Sequence, residues 1–172
     1  MASDNTVLYD LLERQRKRMG KKFQTELDEQ QFHDEMANLA LLTRHMESDD
    51  KNDAIVLQKD ADGNPITSAK GAYQFVDAAV DTGKQRALNR GVPEDYVNDI
   101  PQDPREWSPE QGEVMFIANM FSQTGSDAVL AKVATGDMDA YKEAYSRFHH
   151  TNPDEATLKR MEIFFPTSTE NT

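Results

Sequence analysis

The sequence predicts an α+β fold that is predominantly helical, and three observations carry that expectation. Apolar residues recur at helical spacing over most of the chain. Helix starts bear capping residues and helix stops bear Gly or Pro. A single stretch, residues 49–70, breaks the pattern with short β-favouring runs. The 172 residues contain no long Gly/Ser or Pro-rich break, so one domain is expected, able to bury about two thirds of its unfolded surface.

The elements follow in order. A first helix is expected from Asn5 to Met19, with Val7, Leu8, Leu11, Leu12 and Met19 as a thin apolar stripe and Gly20 as its stop. A second begins near Thr25, which forms a capping-box pattern with Asp28. It places Phe32, Met36, Leu39, Leu42 and Met46 on one face and ends close to Glu47. Ala54-Ile55-Val56-Leu57 and Pro65-Ile66-Thr67 flank the turn-forming Asp60-Ala61-Asp62-Gly63-Asn64 as one small β-hairpin. Helix returns by about Asp77 and stops near Gly91, and Pro93, Pro101 and Pro104 mark a packed loop.

Ser108-Pro109-Glu110-Gln111 combines a capping Ser, Pro at the first helical position and Gln at the third. The helix it opens should carry Val114, Met115, Ile117, Ala118 and Phe121 inward and end before Gly125. Ser126 opens a short helix to Thr135, Asp137 opens one to about His149, and Asn152-Pro153-Asp154-Glu155 starts the last. The tail after Pro166 reads as disordered. The total is about seven helices around one hairpin. Three segments result: an amphipathic basic arm over residues 1–22, the domain proper over 23–166, and a tail over 167–172.

Charge and composition narrow the function. Zero cysteines exclude disulfides, thiolate metal sites and a cysteine nucleophile. No stretch approaches the roughly 18 apolar residues of a membrane span, and the N-terminus lacks the apolar core of a signal peptide. A net charge of -12 argues against non-specific binding to DNA or to anionic wall polymers, and no specific nucleic acid is expected. Residues 13–22 hold six basic side chains against Glu13, a local +5, which leaves -17 on the rest of the chain. Such asymmetry fits either an arm with an acidic partner or a solvated helix face. Asp60-Ala61-Asp62-Gly63-Asn64 begins like a calcium loop, but Gly stands fourth instead of sixth and Gly71 occupies the place of the bidentate Glu. No metal and no cofactor are expected.

A carboxylate at the end of an apolar helix facing a hairpin is placed where desolvation disfavours its charged form, and Glu47 fits that description. Such a group suits an acid that protonates a leaving oxygen as a sugar acquires oxocarbenium character. On spacing alone, a solvated helix end is the plainer reading of Glu47.

Four landmarks in order extend the reading. They are Glu47-Ser48 within LLTRHMES; Ser68-Ala69-Lys70-Gly71-Ala72-Tyr73-Gln74-Phe75; Trp107-Ser108-Pro109-Glu110-Gln111; and Gly136-Asp137 with Ala140 and Ala144-Tyr145 beyond it. Together they resemble the lytic transglycosylases, lysozyme-like enzymes that cut peptidoglycan glycan strands, over roughly residues 36–150. GAYQF is close to the form common in phage members. The match to the family's G-D-x-x-x-A-x-x-x-Y-N-A-G motif stops at its tyrosine, because Ser146-Arg147-Phe148 replaces Asn-Ala-Gly.

The resemblance implies a lysozyme-like domain with Glu47 as the single catalytic acid and base. Glu47 protonates the bond between N-acetylmuramic acid and N-acetylglucosamine, then takes the proton of the muramoyl 6-hydroxyl as a 1,6-anhydro ring closes. It further implies substrate-side roles for Ser48, Gly71, Tyr73, Gln74 and Tyr145. Tyr73 and Gln74 line the cleft, and Tyr145 holds Glu47 through its hydroxyl. His149 and His150 contact the sugar or Glu47, or else cap a helix end. Phe75, Trp107, Phe116 and Phe121 are expected in the core. A phage particle that carries the enzyme to the host periplasm and cell wall is the implied setting. Peptidoglycan is the substrate, and other virion proteins are partners through the arm. Two alternatives stay open: a muramidase that uses water with Asp60 or Asp62, and a catalytically weak structural or wall-binding virion protein.

Overall fold

Helix forms where the apolar spacing runs unbroken, and the computed structural model describes residues 5–48, 71, 73, 75, 77–149, 159 and 163, with Ser48 and Asp77 given by backbone alone. Seven α-helices lie among the described residues: α1 Thr6–Phe23, α2 Glu29–Ser48, α3 Asp77–Asn89, α4 Glu94–Asn98, α5 Pro109–Phe121, α6 Ser126–Val133 and α7 Met138–Ala144. A 3-10 turn at Pro104–Glu106 and a π-helical turn at Tyr145–His149 complete the order. The described residues contain no strand. The hairpin expected around Asp60 to Asn64 and the tail lie outside the described residues, and of the helix expected from Asn152 only Lys159 and Ile163 are described, both helical.

The centre of the fold is α5. Its Val114, Met115, Phe116, Ile117, Ala118, Met120 and Phe121 are all buried, so it is apolar around its circumference, and α1, α2, α3 and α6 pack on it. Its start is the expected one. Ser108 Oγ accepts the Gln111 N–H at 3.1 Å and the Gln111 side chain accepts the Ser108 N–H at 2.9 Å, which closes a capping box with Pro109 at the first helical position.

Three local expectations are corrected. First, α1 does not stop at Gly20. It continues to Phe23 and ends on Gln24, which takes a left-handed φ of 52° and donates its N–H to Gly20 and Lys21 carbonyls. A Cβ at Gly20 would lie 3.1 Å from the Thr25 carbonyl oxygen, so the missing side chain admits the returning backbone instead of terminating the helix. Second, α2 starts at Glu29 and not near Thr25, because Asp28 Oδ2 itself caps the Gln31 N–H at 2.8 Å. Third, the proline-marked stretch is not a plain loop. Pro93 precedes α4, Pro104 opens the 3-10 turn, and the indole N–H of Trp107 donates to the Pro101 carbonyl at 2.7 Å.

The basic N-terminal segment is the first helix of the domain rather than an arm apart from it. Leu11, Leu12, Gln15 and Met19 are buried, and α1 packs on α2 and α5. Its charges are partly spent on the fold. Arg18 and Lys22 pair with Asp127, Arg16 with Glu13, and Arg14 donates to the Arg90 carbonyl. The stripe that sequence shows as thin gains its burial from two partner helices. No helix among the described residues is long and apolar enough to cross a membrane.

Candidate active site

The last turn of α2 delivers Arg44 and Glu47. Phe32, Met36, Leu39, Ala40, Thr43 and Met46 turn one side of the helix into the core, which leaves Glu47 at its margin with 12% of the side chain exposed. The chain then leaves the described residues, so the Ser48 side chain, Gln74, His150, Asp60 and Asp62 receive no structural placement.

Opposite Glu47 stands the end of α7. Asp137 caps that helix, accepting the N–H groups of Asp139 and Ala140, and the backbone widens at Tyr145–His149 into a π turn. Single π turns inside helices concentrate at functional sites. Here Tyr145 and His149 are side by side, their ring centroids 5.9 Å apart, and both approach Glu47. The Tyr145 hydroxyl donates to Glu47 Oε1 at 2.5 Å. His149 Nε2 lies 3.7 Å from the same oxygen and 3.0 Å from the Tyr73 carbonyl. His149 therefore fastens the Tyr73 backbone beside Glu47, against the edges of Phe75 and Phe116.

Tyr73 itself is displaced from its expected part. Its side chain is 3% exposed and stacks on Phe116 at 5.0 Å, with its hydroxyl accepting from Arg44 at 2.7 Å. A ring held in this way is a wall of the core. What it presents toward Glu47 is the carbonyl bound by His149. An aromatic with a satisfied hydroxyl gains more from the apolar stack than from solvent, which keeps the ring inside. Gly71 is buried with φ +80°, and a Cβ there would meet Pro104 atoms at 2.9 to 3.1 Å. Glycine is thus demanded by backbone and packing. Phe75, Trp107, Phe116 and Phe121 are buried, as expected of core residues.

Residues that sequence reasoning passed over complete the surroundings. Arg44 lies one turn before Glu47 and reaches Glu113 of α5 at 3.3 Å as well as the Tyr73 hydroxyl, so the charged partner of the tyrosine is neutralised inside the fold. On α7 one turn before Tyr145, the Tyr141 hydroxyl donates to the carboxylate and the carbonyl of Glu35, and burial with this contact pushes its pKa up. Two tyrosines of one helical stretch thus grip two glutamates of α2. The i, i+4 spacing of Tyr141 and Tyr145 was the available signal.

A separate group of Glu13, Glu29 and His33 has the residue types of a cation site. Arg16 occupies both oxygens of Glu13 and Tyr9 bonds Glu29, so the group serves as a staple between α1 and α2. No protein-family model, no curated protein and no solved structure matches this chain.

Proposed function

We propose that this protein is a peptidoglycan lytic transglycosylase. It would cleave the β-1,4 bond between N-acetylmuramic acid and N-acetylglucosamine with Glu47 alone as acid and then base. The observation that supports this reading is the Tyr145 hydroxyl on Glu47 Oε1 at 2.5 Å, which restricts the rotamers of a carboxylate largely withdrawn from water. Glu47 gives its proton to the glycosidic oxygen, the bond from that oxygen to C1 of the muramoyl sugar breaks, and positive charge spreads over C1 and the ring oxygen. The muramoyl 6-hydroxyl then attacks C1 and returns its proton to the Glu47 carboxylate, closing a 1,6-anhydro ring. While Glu47 is ionised, the Tyr145 hydroxyl is already aimed at the charge and needs no reorganisation.

Because the nucleophile belongs to the substrate, no second carboxylate across the sugar is required, and Tyr145 with His149 supplies neighbours that hold rather than attack. The setting that fits the resemblance is a phage particle that delivers the enzyme to the host wall. Zymography on peptidoglycan tests the assignment: wild type should clear the gel and Glu47→Gln should not. Equal clearing by both defeats Glu47 as the acid.

A further inference from the structure

Charge on α1 is distributed in a way that the fold does not use up. Arg18 forms a fork on Asp127 at 2.7 and 2.8 Å, and Lys22 adds a third contact to that carboxylate at 2.9 Å. Asp127 is the only carboxylate these groups contact among the described residues. The other acceptors are neutral. Buried Gln15 takes Arg18 Nε at 3.2 Å and Arg90 at 3.5 Å, while Arg90 also donates to the Phe121 carbonyl and to Ser122 Oγ. Arg90 and Arg18 therefore share Asp127 as a counter-charge, and burial together with Arg18 lowers the Arg90 pKa. Arg14 closes the other side, bonded to the Arg90 carbonyl. Lys17 and Lys21 are exposed one turn apart and with Arg18 line a shallow concavity of ≈ 610 Å³.

Arg14, Lys17, Arg18, Lys21, Lys22 and Arg90 together give this region a positive field on a chain whose net charge is -12. A glutamate at position 15 would have offset one of the two charges of Arg18 and Arg90, which the Gln15 amide oxygen accepts from without offsetting either. Glutamine leaves that charge available to a ligand. We propose that this face of α1, centred on Lys17, Arg18 and Lys21, docks an acidic peptide segment of a partner protein. A long uniform polyanion such as duplex DNA meets the -17 carried by the rest of the chain, whereas a short Asp/Glu-rich segment samples the basic face alone. Arginine forks and lysine points both suit carboxylates. This proposal is independent of the catalytic reading.

Fluorescence anisotropy with a labelled decaglutamate peptide and the full chain tests it. Binding is expected at low salt and should weaken steeply as salt screens the charges. The double variant K17E/K21E, at two exposed positions that leave the circular dichroism unchanged, should lower affinity by about tenfold or more. Absence of binding by wild type at low salt overturns the proposal, as does equal binding by the variant. Tighter binding of a duplex of equal charge overturns the choice of a protein partner.

Discussion

Tyr145 donates its hydroxyl to Glu47 Oε1 across 2.5 Å and 98 positions of sequence, joining the end of α7 to the end of α2. Tyr145 has no exposed surface, so the bond is shielded from competing water on the tyrosine side. The carboxylate is held from a rigid element, as the proposed double role of Glu47 requires.

Removing that donor should separate the roles of the pair. Tyr145→Phe keeps the ring and its packing but leaves the Glu47 oxygen short of a partner, at a cost of about 1–3 kcal/mol in stability. Turnover is expected to fall by about tenfold to hundredfold while apparent substrate affinity changes little. Steady-state kinetics beside a denaturant midpoint checks both; unchanged turnover would remove Tyr145 from the site.

Gly71 faces a different constraint. With φ at +80° and Pro104 in the place of a Cβ, Gly71→Ala combines backbone strain with a clash, so a loss of about 1–3 kcal/mol is expected in chemical denaturation. A neutral result would show that the loop moves away from Pro104 without penalty.

Acid should weaken the α1–α6 contact. Arg18 hydrogen bonds, with Lys22 beside them, lower the Asp127 pKa from 3.8 to about 2, and Arg16 with His33 lowers that of Glu13 to about 2. Between those values and the ordinary carboxylate range the unfolded chain binds more protons than the folded one. Stability therefore rises with pH there: the contribution is complete above about pH 5 and disappears as pH falls toward 2. Because Lys22 and part of Arg18 are solvent-screened, Asp127→Asn is expected to cost about 1–2 kcal/mol at pH 7. The variant should also show a flatter melting-temperature profile from pH 5 to 2; parallel profiles for variant and wild type would contradict the assignment.

The capping box of α5 gives the plainest stability test. Ser108→Ala removes the acceptor of the Gln111 N–H and should cost about 1 kcal/mol, or a melting point lower by about 2–4 °C. A shift below 1 °C, within about 0.3 kcal/mol, would mean that Pro109 and the core hold the helix start without the cap.

Sequence patterns exposed what is local. The cap at Ser108, the inward face of α5 and the end of α2 near Glu47 follow from spacing and side-chain chemistry within one element. The Tyr145 contact was legible only through resemblance, since nothing in either helix alone points to a partner 98 residues away. Other relationships were not legible. The Arg44 bonds to Tyr73 and Glu113 depend on three segments meeting, and the burial of Tyr73 follows from the stack on Phe116. The +5 of residues 13–22 read as an arm with an acidic partner or a solvated helix face because charge patterning does not reveal that Asp127, more than a hundred positions away, pairs with Arg18 and Lys22. The glycine at position 20 misled for a similar reason. Its use is a close approach of backbone, which leaves the same trace in sequence as a helix stop.

The most direct test of the central claim is mass spectrometry of the soluble fragments released from purified peptidoglycan by the wild-type protein. One carboxylate acting as acid and base, with the muramoyl 6-hydroxyl as nucleophile, predicts muropeptides that end in 1,6-anhydro-N-acetylmuramic acid, lighter by one water than their hydrolytic counterparts and absent with Glu47→Gln. Fragments with reducing ends alone would contradict the account, because they require an attacking water in place of the substrate's own hydroxyl.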